Sequence, residues 1–391
     1  MREYRLTVGG PACGIRGFTN THIQCAVDRV HLLGGGEVEL SEGTFHMADA
    51  LHLRSGVRVK GQGETTVLRK NAMKQAKVIA FLGFGHNDVI VDAPDVFEPG
   101  EGIIIGDERG HGFYQTTATL VRREGDAWLI DRAFAHDYTE DAKGWVKTLF
   151  PLISVVDEGD ASVEDLAVDG NAAENDLING CRGGGFFAHR SDRIRVRRVT
   201  VRHFNGEGFS FQTCDEMELD SCIAEQCLGN GFHPGSGSNR FHIHDCASRD
   251  NGRCGLFYCL RVRDGVLENC AFERNKQHGV FIGSRDTGHM NRGLVIRGNG
   301  GAGIYVVKTG KANAAHDNAI ENCTLEHNAQ VDGEAEIVLQ GETEGVRVIG
   351  NRIRRAPGKP GILIKPEMPP FVADGNVVEP PGPDAIVNQR T

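Results

Sequence analysis

The stretch GFSFQTCDEMELDSCIAEQCLGNGFHPGSGS, residues 208–238, holds one full period of a repeat and the start of the next. Each period opens with a glycine followed by a short apolar segment. These glycines lie 23, 23, 24, 24 and 24 residues apart, at Gly185, Gly208, Gly231, Gly255, Gly279 and Gly303. The segments EIVLQ from Glu336 and GILIK from Gly361 continue the series at longer spacings. Such self-similarity indicates a solenoid of stacked coils.

A second register runs beside the glycines. Cysteines recur every 24 residues at Cys222, Cys246 and Cys270, and Cys323 and Asn351 continue the series. Short strands without helical periodicity predict an all-β chain, folded as a right-handed parallel β-helix with about 24 residues per coil. We interpret the cysteines as a buried ladder at a bend, because free Cys packs as a small hydrophobe.

Alternation along each strand assigns the side chains after the glycine to opposite faces of the coil. The first position is apolar and is predicted to point inward: Phe186, Phe209, Phe232, Leu256, Val280 and Ile304. The second position, here called the outward row, contains Phe187, Ser210, His233, Phe257, Phe281 and Tyr305. Aromatic side chains at strand spacing offer a platform on which sugar rings can pack. The alternative is that a neighbouring segment covers the row as a second small core.

The N-terminal part predicts a cap for the solenoid. Apolar residues at positions 23, 26, 27, 30 and 33 predict an amphipathic helix with Thr21 as N-cap and Gly34 as its stop. This helix and the motifs GGGEVELSEGTF and SGVRVKGQG resemble the start of pectate-lyase-like proteins, which share the pectin lyase fold. Together with the coils, the resemblance covers most of the chain. It implies a parallel β-helix, and it implies no single activity.

One stretch departs from the repeat. Residues 93–157 alternate like antiparallel hairpins and are predicted to form a small β insertion that makes one wall of a cleft. The chain is therefore expected to divide into three regions. Residues 1–92 hold the cap helix and first coils, 93–157 the insertion, and 158–391 the main coils and a Pro-rich tail.

The turns after the outward row carry the polar side chains of a predicted groove. Basic residues concentrate there although the net charge of the chain is -10, which favours an anionic glycan such as a uronate polymer. The candidate catalytic residues are His233, Arg261, Arg285, Asp286 and Lys308. The candidate substrate-binding residues are Gln212, Ser236, Ser238, Phe257, Arg263, Phe281, His289 and Tyr305. The alternative is a solvated turn whose charges pair internally, Arg263 with Asp264 and Arg285 with Asp286.

The break HPGSGS, residues 233–238, is interpreted as a notch at mid-groove. Its two glycines let a backbone approach a ligand closely, and His233 is of a type that titrates near neutral pH. The notch is where the reacting sugar is expected. The alternative is a tight loop that makes room for the insertion.

Three functions remain open from the sequence. A lyase or epimerase would use His233, Arg261 or Lys308 as the base for the C5 proton, with Arg263 and Arg285 holding the carboxylate. A glycoside hydrolase or transglycosidase needs two carboxylates about 5–9.5 Å apart. Asp286, expected to be kept ionised by Arg285, is its first candidate, with Asp264 as the second choice. The other acidic residues near the groove are Asp169, Glu207, Asp215 and Glu216. A non-catalytic glycan-binding or tailspike-like structural protein is the third reading.

The sequence contains few features that indicate a bound metal or cofactor. The 11 cysteines form no CxxC pair, so no zinc site is predicted. Many lyases of the superfamily bind calcium through an acidic cluster, which these turns lack. No cofactor is therefore expected to be required, and calcium stays an open alternative that no acidic cluster supports. His242 and His244 alternate on one strand as a weak metal candidate.

The predicted groove favours a polysaccharide or oligosaccharide as the partner. The acidic balance argues against nucleic acid, and no apolar run approaches the about 20 residues needed to cross a bilayer. By analogy with other β-helices, a homotrimer is one expected assembly. The start MREYRLTVGG lacks a signal-peptide core. A removed leader for secretion would leave the same chain, while a ladder of reduced thiols favours the cytoplasm.

Overall fold

The structure, a computed structural model, describes residues 4–390. In that range the strands form two long parallel sheets and one six-stranded sheet, whose strands pair antiparallel. The parallel sheets run the length of a solenoid. The prediction of an all-β chain folded as a parallel β-helix is therefore confirmed. Residues 1–3 and 391, which the predicted first and last regions include, lie outside the described range.

The first parallel sheet takes one strand from each coil, and we call it the eleven-stranded sheet. Its strands are Leu51–His52, Ile153–Val156, Gly184–His189, Glu207–Gln212, Phe232–Gly235, Leu256–Phe257, Val280–Ile282, Ile304–Val306, Ile337–Leu339, Ile362–Ile364 and Ile386–Asn388. The predicted inward residues are register partners from coil to coil and are fully buried. The positions of the repeat glycines thus correctly predicted where these strands lie and which of their side chains point inward.

The second parallel sheet takes two strands from each regular coil, and we call it the twenty-one-stranded sheet. Its strands are Tyr4–Gly9, Ile15–Arg16, Gly36–Leu40, Gly43–Met47, Val57–Lys70, Ser162–Asp169, Arg195–Arg202, Glu218–Asp220, Ile223–Glu225, His242–His244, Ala247–Arg249, Val266–Glu268, Ala271–Glu273, Met290–Arg292, Val295–Arg297, Ala319–Glu321, Thr324–Glu326, Arg347–Ile349, Arg352–Arg354, Val372–Asp374 and Val377–Glu379. Its inward side chains and those of the eleven-stranded sheet enclose one continuous core.

Two ladders of small polar or thiol side chains line the bends. The predicted cysteine ladder is buried and unpaired, and the Cys246 sulfur accepts a hydrogen bond from the Cys222 amide at 3.3 Å. A second, unpredicted ladder stacks Asn251, Asn275, Asn299 and Asn328. Each of these side-chain oxygens accepts the backbone N–H of the residue one coil earlier, at 2.9–3.2 Å.

The one α-helix in the described range is Asn20–Leu32, and short 3₁₀ turns lie at Pro94–Val96, Gly112–Tyr114, Ala172–Glu174 and Lys311–Asn313. The N-cap is Thr19, whose backbone is extended, so the predicted cap at Thr21 is wrong. Thr19 and Thr21 flank Asn20 in the sequence, and only the backbone conformation, extended at Thr19, shows which of the two is the N-cap. The buried helix face packs on the first strands, and Gly34 follows the helix with a positive φ of 95°. No helix among residues 4–390 is long and apolar enough to span a membrane.

The antiparallel sheet, here called the insertion sheet, has its own apolar core beside the first coils. Its strands are Gln75–Lys77, Asp88–Ile90, Gly102–Gly106, Thr116–Glu124, Ala127–Ile130 and Trp145–Lys147. The sheet begins well before the predicted boundary at residue 93, and parallel coils resume at Ile153, before residue 157. The early strands are short and pair with segments far along the chain, so local alternation does not reveal them.

Candidate active site

The outward row is covered over its first half and open over its second. Ser210 and His233 are 0% and 5% exposed, whereas Phe257, Phe281 and Tyr305 are half-buried. The cover is residues 175–183, here called the covering segment. The prediction of a covered second core therefore describes the first half of the row, and the prediction of an accessible aromatic platform describes the second half.

The covering segment lies directly on the outward row. The carbonyl of Gly180 accepts hydrogen bonds from Ser210 Oγ at 2.7 Å and Gln212 Nε2 at 3.3 Å. Ile178 is buried in the main core, which anchors the segment. Arg182 donates to the carbonyls of Gly112 and Phe113 at 3.0 and 2.6 Å, which ties the segment to the insertion.

The segment is also supported from below by a buried lysine. Lys70 donates from Nζ to the Phe150 carbonyl at 2.8 Å and to Asn205 Oδ1 at 3.1 Å, and its ammonium lies 4.7 Å from the centre of the Phe150 ring. Asn205 in turn donates to the Asp176 carbonyl of the covering segment. Burial lowers the pKa of Lys70 to about 7. The segment is therefore part of the folded body.

A pocket of about 230 Å³ opens where the covering segment ends. Its lining includes Gly180, Glu207, His233, Arg253 and Phe257. Glu207 and His233 come from neighbouring coils, and His233 Nδ1 lies 3.8 Å from Glu207 Oε1. Neither ring nitrogen of His233 has a hydrogen-bond partner among residues 4–390. A buried imidazole without partners is costly and points to a group that the pocket receives.

The two buried groups have shifted pKa values in opposite senses. Burial raises the pKa of Glu207 to about 7, an effect that hydrogen bonds from Asn230 partly offset. Burial, with a smaller contribution from the nearby charge of Arg253, lowers the pKa of His233 to about 4. At neutral pH the imidazole is therefore uncharged, and the carboxyl is present in both protonation states. A neutral base beside a carboxylic acid is what proton transfer to and from a substrate requires.

Arg253 supplies the positive charge at the mouth of the pocket. Its side chain is exposed and forms no ion pair in the part of the chain that the structure describes. A guanidinium in this position can hold a carboxylate through two parallel hydrogen bonds. Arg253 was not among the predicted residues, because it precedes the repeat glycine Gly255 and so lies at the opposite end of the strand from the turns of the predicted groove.

The aromatic residues continue outward from the pocket as a stacked ladder. His233 meets Phe257 edge-on at 5.3 Å between ring centres, Phe257 stacks on Phe281 at 4.8 Å, and Phe281 stacks on Tyr305 at 5.5 Å. His278, which directly precedes the repeat glycine Gly279, stacks on Tyr305 at 4.4 Å between ring centres. We call Phe257, Phe281 and Tyr305 the aromatic ladder.

The predicted arginines lie on turns beyond the strands and do not line the pocket. Arg261, Arg263 and Arg285 are exposed, and residues 4–390 contain no ion pair with any of them. The internal pairs with Asp264 and Asp286 are therefore not formed. Lys308 is exposed and pairs with Glu367, which lowers the pKa of that carboxyl.

Four other predicted residues are not accessible to a substrate. Gln212 lies under the covering segment, and Ser238, Asp286 and His289 point into the solenoid. Ser238 Oγ donates to the Gly235 carbonyl at 2.8 Å, so it supports its own turn. Ser238, Asp286 and His289 are buried for the same reason: they follow the strand, where the chain turns back over the core and side chains no longer alternate between the two faces. Ser236 stays half-buried on that turn, with a positive φ of 41°.

Asp286 and His289 have structural roles that their positions explain. Asp286 accepts the amide of Val262 on Oδ1 and that of Gly283 on Oδ2, both at 2.9 Å. Arg285 is exposed and forms no ion pair with the buried Asp286, so it does not keep that carboxyl ionised as expected, and burial raises the pKa of Asp286 to about 7. His289 stacks on Tyr258 at 4.2 Å between ring centres, and burial lowers the pKa of its imidazole to about 3.

One group in the described range has the composition of a metal site. Donor atoms of Asp220, His244 and Asp245 lie within 4.8 Å of one another on the outer face of the twenty-one-stranded sheet. Arg197 already donates to Asp220 at 2.9 Å. This group is remote from the pocket, where Glu207 is the one lining carboxylate among residues 4–390.

Comparison with known proteins agrees with the observed architecture. The family model described as the right handed beta helix region matches residues 159–325 and 264–379. The A-module of mannuronan C-5 epimerase AlgE4 from Azotobacter vinelandii superposes with a TM-score of 0.56 at 16% identity, covering 94% of this chain and 95% of the module. The predicted right-handed helix of the pectate-lyase-like type is thereby confirmed.

Sequence relatives come from the same bacterium. Mannuronan C5-epimerase AlgE2 is 31% identical over 101 residues, which is 26% of this chain and 10% of the relative. Mannuronan C5-epimerase AlgE3 is 23% identical over 320 residues, which is 78% of this chain and 13% of the relative. The chain thus spans a small part of the length of these curated relatives.

Proposed function

We propose that this chain, which belongs to the right-handed β-helix family, is a carbohydrate-active enzyme that modifies a uronate-containing polysaccharide or oligosaccharide by β-elimination. The observation that carries the proposal is the pair of Glu207 and His233, two buried groups 3.8 Å apart in a pocket beside an unpaired arginine. The names of the relatives, all mannuronan epimerases, support a uronate as the substrate class.

The residues of the pocket account for each step of an elimination. Arg253 binds the uronate carboxylate and stabilises the negative charge that it gains when the C5 proton leaves. Neutral His233 accepts that proton. Glu207, in its protonated form, donates a proton to the departing glycosidic oxygen at C4, and a C4–C5 double bond forms. The cationic imidazole and the carboxylate then exchange protons with solvent.

The short separation of the two groups favours elimination over the other reactions. A base and an acid 3.8 Å apart lie on one side of the sugar ring, whereas epimerisation needs a proton donor on the opposite face. A hydrolase needs two carboxylates about 5–9.5 Å apart, and in the described range Glu207 is the one carboxylate that lines the pocket.

The shape of the site sets where the rest of the substrate lies. The pocket of about 230 Å³ is smaller than a typical pocket for a drug-sized ligand, about 300–1,000 Å³, so it suits one sugar unit. The following units would lie on the aromatic ladder, where apolar sugar faces pack on the rings. The exposed Arg261 and Arg285 lie on turns beyond that ladder and add positive charge near it.

The test incubates the purified chain with polymannuronate, polygalacturonate and a neutral glucan, following the ultraviolet absorbance of the unsaturated product and the reducing ends together. Absorbance and reducing ends that rise together on a uronate polymer support elimination. His233→Ala and Glu207→Gln should each reduce the rate about 10²- to 10⁴-fold. His46→Ala, which changes an exposed histidine on the other parallel sheet, is the matched control.

Other results would contradict the proposal in distinguishable ways. Reducing ends without absorbance would indicate hydrolysis. A change in the proton NMR spectrum of an uncleaved polymer would indicate epimerisation. Binding without turnover on the whole panel would favour a glycan-binding protein.

A further inference from the structure

A second cavity lies on the far side of the covering segment from the Glu207–His233 pocket. It has a volume of about 430 Å³ and is enclosed between the insertion sheet and the outer face of the first coils. Its lining includes Asp49, His52, Ser154, Arg132, Arg182 and Arg190. We call it the insertion cleft, and the proposed elimination makes no use of it.

A histidine and a buried carboxylate form a fixed pair in this cleft. His52 Nε2 lies 3.3 Å from Asp49 Oδ2, and the Asp49 side chain is 9% exposed. Asp49 is held from two directions, because it accepts the Ala50 amide on Oδ1 and the Thr119 hydroxyl on Oδ2, both at 2.7 Å. Thr119 belongs to the insertion sheet, so the insertion itself orients this pair. A carboxylate on one imidazole nitrogen leaves the other free to act as a base.

A serine stands beside this histidine on the same face. Ser154 is the register partner of His52 in the eleven-stranded sheet, so the two side chains leave adjacent strands in the same direction, about 4.8 Å apart at the backbone. In the part of the chain that the structure describes, the Ser154 hydroxyl makes no hydrogen bond, and both residues line the cleft. Such a hydroxyl is free to engage the imidazole when a substrate closes the site.

Among residues 4–390, most arginines of the cleft lining are paired with carboxylates, and one is not. Arg190 is neutralised by Asp157 through a two-pronged ion pair, at 2.6 and 2.5 Å. Arg182 instead donates to backbone carbonyls and has no carboxylate partner in the described range. Its uncompensated charge favours an anionic substrate and a developing oxyanion.

We propose that Ser154, His52 and Asp49 hydrolyse carboxylic esters, of which O-acyl groups on an anionic glycan are the class that the cleft suits. Ser154 Oγ attacks the ester carbonyl while His52 takes its proton. The carbonyl re-forms as the sugar alcohol leaves with that proton, which gives an acyl-serine. Water, deprotonated by His52, then attacks the acyl-serine and releases the carboxylic acid and free Ser154. Asp49 is a positioning residue that orients the imidazole.

The experiment uses the full chain with two probes, p-nitrophenyl acetate and a biotinylated fluorophosphonate. We expect hydrolysis of the first, and covalent labelling by the second that peptide mapping assigns to Ser154. Ser154→Ala should abolish the label and lower hydrolysis at least about 100-fold, and His52→Gln should slow both to a similar extent. Ser221→Ala, which changes an exposed serine on the twenty-one-stranded side, is the matched control and should behave as wild type.

The proposal is overturned if Ser154→Ala hydrolyses the ester at the wild-type rate, or if the label maps to another residue. It is equally overturned if folded wild-type chain, checked by circular dichroism, shows neither hydrolysis nor label. These outcomes do not depend on the Glu207–His233 pocket, because neither probe carries a uronate.

Discussion

Replacing Asp286 by alanine should destabilise the solenoid and leave the reaction chemistry intact. Its two carboxylate oxygens each accept one buried amide, from Val262 and Gly283, at 2.9 Å. The alanine variant leaves both N–H groups without partners, and each such group costs about 1–3 kcal/mol. We therefore expect the free energy of unfolding to fall by about 2–6 kcal/mol. Asp286→Asn keeps one acceptor and should lose about half as much.

Urea unfolding followed by far-ultraviolet circular dichroism measures this loss. Hydrogen exchange at the Val262 and Gly283 amides shows whether the opening is local, as expected in a solenoid whose coils contact only their neighbours. Asp264→Asn is the control, because that side chain is exposed in a nearby turn and Asn tolerates the positive φ of 52° there as Asp does, so stability should change by less than about 0.5 kcal/mol. An Asp286→Ala variant with wild-type stability and lost turnover would refute the structural role and restore Asp286 as a catalytic candidate.

Three further perturbations test other parts of the structure. Asn275→Ala removes the acceptor of one buried amide and the donor to the Ser248 carbonyl, so urea unfolding should show a loss of about 2–4 kcal/mol. Burial raises the pKa of Glu336 to about 7 from 4.5, so its stabilising contribution is full below pH 4.5 and is lost as the pH rises through about 7. Glu336→Gln should therefore reduce the fall in stability between pH 5 and 8 by up to about 3 kcal/mol in urea titrations. Gly180→Ala would place a methyl group 2.5 Å from His233 Nδ1, so it should block turnover of uronate and cost about 1–3 kcal/mol in stability.

Each of these has a result that would count against it. Wild-type stability of Asn275→Ala would mean that the amide ladder is not stabilising. An unchanged pH dependence in Glu336→Gln would place the titration in other groups. For Gly180→Ala the matched control is Gly310→Ala, where an added methyl group meets nothing within 4 Å. Full activity of Gly180→Ala would separate the reaction from the pocket.

The repeat made most of the fold predictable, because each inward position is constrained in the same way in every coil. The glycine series located the eleven-stranded sheet, and alternation assigned Phe232 inward and His233 outward. No such rule covered Ser238, Asp286 and His289, which were predicted to line the groove only because they lie in the turns after the outward row. Those residues follow the strand, where the chain curls around the core and alternation no longer fixes direction.

The site itself was only partly predictable. His233 and the aromatic ladder lie on one strand position, so their row was visible in the sequence. Glu207 was visible only as one of several acidic residues near the groove, and its pairing with His233 depends on burial by the covering segment. That segment carries no repeat signal, and its position on Ser210 arises from long-range contacts through Gly180. Arg253 joins the site from a third coil, on the side opposite the predicted turns.

The asparagine ladder has a consequence for how such a molecule can change its length. Every rung makes the same bonds to the coil before it, from Asn251 to Asn328. Removing or duplicating one whole coil would bring equivalent rungs together again, with every amide satisfied. Insertion or deletion of one coil would therefore lengthen or shorten the aromatic ladder by one residue while the hydrogen bonds of the interior stay the same. The number of coils thus sets the length of the aromatic ladder.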